Sequence, residues 1–93
     1  MRNDILEEIL EEVLVQDTIT EERDLMVFND DVNTFDHVIN TLIKVCRHTT
    51  EQAEQCTWII HYKGKCSVKK GSMKELRPMK DAICEAGIDA KII

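Results

Sequence analysis

The chain has 93 residues, with 18 Asp or Glu against 12 Lys or Arg and a formal net charge of −6. That length holds one domain with a modest core and leaves no room for a deep multi-substrate cavity. The acid excess argues against a nucleic-acid partner, because phosphate binding draws on a surplus of Lys and Arg.

Residues 1–23 differ in pattern from the rest. Ile5-Leu6, Ile9-Leu10 and Val13-Leu14 recur every four residues with pairs of Glu between them, the pattern of an amphipathic helix with an acidic back. So short a helix is marginal alone in water, and its glutamates repel one another. The expectation is an N-terminal extension that is flexible alone and becomes helical on a partner. The N-terminus shows no apolar leader or cleavage signature, and no apolar run is long enough to span a bilayer. A soluble, cytoplasmic protein with no membrane partner is expected.

The core is expected over residues 24–93. Asp24–Phe28 is β-branched and apolar between charges and reads as a strand. Asn29-Asp30-Asp31 follows, and then Phe35, Val38, Ile39, Leu42, Ile43 and Cys46 recur at the spacing of one buried helix face. Asn33 or Thr34 can cap that helix, so Asn29, Asp30 and Asp31 are surplus to capping. Clustered acceptors at a strand end point to a site for a cation or an ammonium group. Thr49-x-x-Gln52 is a capping box for a second helix, with Ala53, Cys56, Thr57 and Ile60 inward and Gly64 placed to end it. Lys65–Lys69 reads as a strand. Ser72-x-x-Glu75 opens a third helix with Leu76, Met79, Ile83 and Ala86 inward, and Pro78 either kinks it or lies near its true start. Gly87 ends that helix, and Ile88, Ala90 and Ile92 alternate as a last strand. The order β-α-α-β-α-β predicts an α+β fold, a small three-stranded antiparallel sheet with three helices on one face.

Several residues read most simply as structure. Cys46, Cys56 and Cys84 fall on apolar helix faces and Cys66 on a strand, which suits buried reduced thiols. No close-spaced cysteine pairs suggest zinc, so no metal and no cofactor are expected. Trp58 reads as core filling beside the second helix. His37 and His48 read as ordinary exposed positions. Lys63, Lys65, Lys69 and Lys70 read as a solvated strand edge that discourages edge pairing.

Asn-Asp-Asp-x-Asn-Thr-Phe at 29–35, followed by Ile59-Ile-His-Tyr-Lys-Gly-Lys65, resembles the two signature blocks of the ClpS family. These are small adaptors that hand substrates with destabilising N-termini to a Clp-family AAA+ protease. The resemblance covers roughly residues 24–93. It implies a binding protein and no catalytic residues. Asn29, Asp30, Asp31 and His61 would cradle the substrate's α-amine, since an ammonium taken out of water needs acceptors on several sides. Thr34, Phe35, Val38, Thr57 and Ile60 would line the slot for a first side chain of Leu, Phe, Tyr or Trp. Phe35 stands where relatives carry a methionine gate, and Thr57 where some have methionine. The implied second partner is the N-terminal domain of a Clp ATPase, on the face from Lys65 to Glu75, with Lys74 and Glu75 as candidate contacts.

Two other classes fit parts of the chain. A small hydrolase could use His61 with Asp30 or Asp31, but no Ser or Cys nucleophile is tied to those blocks. An interaction module of ribosomal-stalk type could share the fold, but it would have no need of an acceptor cradle.

Overall fold

The computed structural model describes residues 21–93. The elements are β1 (Arg23–Phe28), α1 (Phe35–Cys46), α2 (Thr50–Lys63), β2 (Lys65–Gly71), α3 (Met73–Glu85) and β3 (Ala90–Ile92). The sheet order is β2-β1-β3, and both neighbours run antiparallel to the central β1. This is the α+β order expected. The amphipathic segment expected within residues 1–20 lies outside the described residues.

Along β1, Leu25 and Val27 are fully buried, while Asp24, Met26 and Phe28 on the other face are half-buried. Period-two burial of this kind belongs to a sheet covered on one side. Leu42, Cys46, Ala53, Ile60, Leu76 and Ile83 supply the helical side of the same core, with Val68 from β2. On α1, Ile39 and Ile43 flank that core half-buried, and Thr41 is buried in their stead with its hydroxyl donating to the His37 carbonyl at 2.7 Å.

β2 is longer than expected and carries an irregularity. Leu25 pairs with Lys69 and Met26 with Ser67, so Val68 is an extra residue in the ladder. Val68 stays on the core face in phase with Cys66, and the bulge brings Lys69 opposite the buried Leu25. The Lys69 Nζ donates to the Cys46 carbonyl at 3.2 Å, supplying a donor at the end of α1. On the opposite face Lys70 pairs with Asp24 at 2.8 Å, and the Ser67 hydroxyl donates to the same carboxylate oxygen at 2.7 Å. The Lys70 ammonium and this hydroxyl lower the Asp24 pKa. Lys65, Lys69 and Lys70 of the basic cluster thus lie on an edge strand, the last two tied to fixed partners, whereas Lys63 is the last residue of α2.

Helix ends follow the sequence closely. Thr34 caps α1, and both capping boxes, Thr49 with Gln52 and Ser72 with Glu75, are formed. Helix α3 runs from Met73 without a break in its assignment through Pro78 to Glu85. It ends in a paired motif: Gly87 N donates to Cys84 O at 3.0 Å, and Ile88 N reaches back to Ile83 O at 3.2 Å. Ile83 and Ile88 are both buried beneath that turn, as a Schellman ending requires. Ile88 therefore belongs to the turn and not to β3.

Two expectations fail here. Cys84 is exposed, its thiol donating to the Ala90 carbonyl at 3.6 Å, because it faces outward from the last turn of α3. His48 is half-buried and its Nε2 lies 2.6 Å from the Val68 carbonyl, so it braces the bulge instead of facing solvent.

Gly87 has φ +86, and a built Cβ would meet nothing within 4 Å. Gly87→Ala should therefore cost only the left-handed conformational penalty, about 1 kcal/mol. Urea unfolding should show a lower midpoint with an unchanged slope; an unchanged midpoint would mean the turn relaxes elsewhere.

Candidate functional site

The expected acceptor row leaves β1 at Phe28 and crosses to α1. Asn29 N donates to the Gly64 carbonyl at 2.8 Å, which holds the row beside the C-terminal end of α2. Gly64 ends α2 with φ 90 and follows His61 by three residues. This backbone bond brings the Asn-Asp-Asp segment and the His61 segment together, although 32 positions (61 − 29) separate Asn29 from His61.

The two aspartates have different surroundings. Asp30 Oδ1 accepts from Val32 N at 2.9 Å and from Asn33 N at 2.8 Å, while Oδ2 accepts from Asn33 Nδ2 at 2.7 Å. The backbone donors of Asn33 and Val32, in that order, hold its carboxyl below the ordinary carboxylate value, and the charge of His37 adds a smaller push. Most of Asp30's acceptor capacity is engaged in building the loop. Asp31 is exposed at the loop's outer edge. Asn29 is exposed next to it, on the loop that Asp30 holds in shape.

Asn33 carries more of the site than its sequence position suggests. Its Nδ2 donates both to Asp30 and to the Gly87 carbonyl at 2.9 Å, tying the loop to the Schellman turn of α3. His37 repeats that tie one helical turn on, with Nε2 lying 2.8 Å from the Ala86 carbonyl. His37 is exposed as expected but bonded to α3. Sequence reasoning missed both contacts, since nothing local marks a partner some fifty residues away.

The apolar part of the site comes from two facing helices. Val38 on α1 and Thr57 and Ile60 on α2 are buried, Phe35 is half-buried, and Thr34 is exposed as the cap of α1. The Thr57 hydroxyl is satisfied by the Ala53 carbonyl at 2.7 Å and leaves its methyl for packing. The Phe35 ring meets the His61 ring edge-on at 5.2 Å between centroids. An apolar wall and a potential acceptor therefore adjoin directly.

Trp58 corrects the sequence reading. It is 49 % exposed and is not core filling. At about 100° per residue it lies that far round α2 from the buried Thr57, which turns its ring outward. The ring meets Phe35 edge-on at 4.9 Å and stacks on Tyr62 at 5.4 Å and 18°.

Lys74 and Glu75 lie far from these groups. Gly71 pairs with Arg23 at one end of β1, whereas Phe28 pairs with Lys65 at the other. Both residues are exposed in the first turn of α3, beyond Gly71, and Glu75 is already engaged by the Ser72 amide at 2.9 Å. That amide and the Ser72 hydroxyl lower the Glu75 pKa.

Three cysteine thiols have raised pKa values. Burial pushes Cys46 up to about 11 and Cys66 up to about 12, and it raises Cys56 as well. These thiols are protonated at neutral pH and are poor nucleophiles. Among the described residues no group of three or more His, Cys, Asp or Glu is placed to hold a metal ion, and no helix is long and apolar enough to cross a membrane.

An acceptor loop beside a helix-end histidine, on a β-α-α-β-α-β sheet layer, defines a small binding domain. Residues 20–90 match the family described as ATP-dependent Clp protease adaptor protein ClpS, and the chain belongs to that family. The ATP-dependent Clp protease adapter protein ClpS of Thermosynechococcus vestitus is 32 % identical over 65 residues, which span 69 % of each protein. The structure of Agrobacterium tumefaciens ClpS2 bound to L-phenylalaninamide has the same fold, with a TM-score of 0.67 at 19 % identity, covering 78 % of this chain and 95 % of that one. Members of the family are adaptors of an ATP-dependent Clp protease and not enzymes, which sets aside the hydrolase reading.

The Asp30 bonds give the loop a pH dependence of definite sign. A folded carboxyl with a depressed pKa contributes stability that is complete above its unfolded value, ordinarily 3.8, and lost as pH falls through the lower folded value. Asp30→Asn should therefore be less stable than the parent at pH 6, and the gap should narrow as pH drops below 4. Chemical unfolding at several pH values checks this; a gap independent of pH would show that the Asp30 charge is not engaged.

Proposed function

We propose that this adaptor binds the free α-amino group and the large hydrophobic first side chain of its substrates, and so selects proteins by their N-terminal residue. The observation that carries the reading is the bond from Asn29 N to Gly64 O, which sets the acceptor row beside His61 and the Phe35 wall. Asn29, Asp31 and a neutral His61 would accept from the ammonium. Asp30 would act mainly by shaping the loop, with Oδ2 adding negative charge from behind. A first side chain of Leu, Phe, Tyr or Trp would enter between α1 and α2 against Thr34, Phe35, Val38, Thr57 and Ile60. Burying such a side chain is worth about 1.5–3 kcal/mol. The ligand of the Agrobacterium structure, L-phenylalaninamide, has the same two features, a free amine and a large apolar side chain.

Delivery would use the other end of the molecule. On the face from Lys65 to Glu75, the Clp ATPase would dock at the end beyond Gly71, with Lys74 as a contact and Glu75 shared with its capping bond, because Lys65 itself lies beside the acceptor loop. Substrate and ATPase could then be held at once, because the first turn of α3 and the acceptor loop lie at opposite ends of β1. Residues 1–23 would serve delivery, and the working compartment would be the cytoplasm.

The test of amine reading is a peptide with a free or an acetylated N-terminus. Acetylation removes the charge and all but one donor and sets a methyl and a carbonyl against the acceptors. Each acceptor left unpaired costs about 1–3 kcal/mol, so losing two abolishes measurable binding. His61→Ala should weaken the free peptide strongly and leave the acetylated one unbound. Comparable affinities for the two peptides would reduce the acceptor row to a solvated turn.

Phe35 sets the expected first-residue order. Both aromatic neighbours of its ring, Trp58 and His61, lie on α2, and they would resist its yielding to a branch at Cβ. Leu- and Phe-initiated peptides should bind better than Ile- and Val-initiated ones by about 1–3 kcal/mol. Isothermal titration of the four peptides measures it, and equal affinities would remove Phe35 from that role.

A further inference from the structure

The sheet has a face that neither the core nor the amine site uses. Asp24, Met26 and Phe28 alternate along β1 with the buried Leu25 and Val27, so they point away from the helices. Met26 and Phe28 are half-buried, yet they stand outside the core and outside the apolar groups packed against it. Their register partners share that face: Ser67 and Lys91 lie opposite Met26, and Lys65 lies opposite Phe28. At the start of the strand, Asp24 lies between Lys70, with which it pairs, and Ile93, with which it exchanges two backbone bonds. The face is therefore an apolar centre with lysines on both flanking strands. Among the described residues neither Lys65 nor Lys91 makes an ion pair. The acids nearby are Asp24, already paired, and Asp89, whose carbonyl accepts from Phe28 N at 3.0 Å.

We propose that residues 5–14 fold as a helix over this open face of their own sheet, apolar side down on Met26 and Phe28. The proposal does not depend on the amine reading. Residues 1–20 carry six acids and one base, a net of −5 (1 − 6), which is most of the chain's −6. At about 100° per residue, the three apolar pairs from Ile5 to Leu14 cover one half of a helix, with Glu7 and Glu11 along one edge and Glu8 and Glu12 along the other. One acidic edge then lies toward Lys65 and Lys70 of β2, and the other toward Lys91 of β3. The dimensions agree. Ten helical residues are about 15 Å long, and the six residues of β1 extend about 20 Å. The connection, residues 15–22, spans up to about 28 Å, enough to turn back from Arg23 onto the face. Its last two residues, Glu21 and Glu22, lie beside Gly71 and Ser72, at the end of β1 remote from the acceptor loop. So short a tether holds the segment at about millimolar local concentration, which favours the same chain over a second copy. The amine site, on the helical side of the sheet, stays open.

Hydrogen exchange of the full chain, followed by mass spectrometry, tests the cover. Amides of residues 5–14 should exchange ~10-fold or more slower than in a free peptide of the same sequence. In Lys65→Glu/Lys91→Glu that protection should fall ~3-fold or more, while α1 and α2 keep theirs, because both lysines are exposed and take no part in the core. Adding Glu7→Lys, Glu8→Lys, Glu11→Lys and Glu12→Lys to that variant should restore the protection, a pattern that unfolding does not reproduce. No protection in the parent chain, protection that the lysine reversal leaves unchanged, or a loss that the four added lysines do not rescue overturns the proposal. Protection that rises with protein concentration, together with a dimer mass in sedimentation, also overturns it, since the segment then covers the sheet of a second copy.

Discussion

Pairing of β1 on both edges is the constraint from which the site's geometry follows. Leu25 and Val27 anchor the strand in the core, while β2 and β3 fix its tilt and register. The strand therefore delivers Asn29 to a fixed point. From there three bonds keep the chain from straying: Asn29 N to Gly64 O, Asp30 to its own loop, and Asn33 to Gly87 O. The two remote partners, Gly64 and Gly87, lie at helix ends and are themselves glycines with positive φ. A displaced helix end would move the acceptor row with it. The acceptor loop is thus referenced to both α2 and α3, which fixes where its acceptors stand.

The fold was largely legible because its signals are local. Both capping boxes, the two helix-ending glycines and the apolar periods of α1 and α2 are read within a few residues, and they set the element order. The acceptor row was legible for a related reason: three acceptors where a cap needs one leave a surplus that asks for an explanation. What was hidden depends on partners remote in sequence. The ties of Asn33 to Gly87 and His37 to Ala86 join α1's start to α3's end across roughly fifty residues. The Val68 bulge shifts the face of the β2 residues that follow it, which brings Lys69 to Cys46 O, and the His48 ring lies against the Val68 carbonyl there. Trp58 misled because size and hydrophobicity favour the interior, whereas its angular position on α2 turns it outward. Cys84 misled in the same way on α3.

Asp30 and Asp31 show why counting acceptors overstates a site. A carboxylate that accepts from two backbone amides and a side-chain amide is held ionised, and most of its lone-pair directions are taken. It contributes charge and shape more than a free contact. Asn29 and Asp31 and the His61 ring are exposed, and a neutral amide, a carboxylate and an imidazole do not crowd three like charges into one place.

The aromatic group joins the polar and apolar halves of the site. The Phe35 ring meets both His61 and Trp58 edge-on, so it lies at once beside the potential acceptor and beside the half-exposed Trp58 ring. Edge-to-face contacts of this kind fix ring orientation with a preference of about 0.5–1.5 kcal/mol per pair beyond the area they bury. Two such contacts on one side chain hold it firmly without making it immovable. A methionine in that place would flex and fill irregular space, whereas a phenylalanine packed edge-on against two rings of α2 has fewer alternatives. Because Trp58 and His61 both lie on α2 and both rest on Phe35, a shift of that one side chain is felt by both rings.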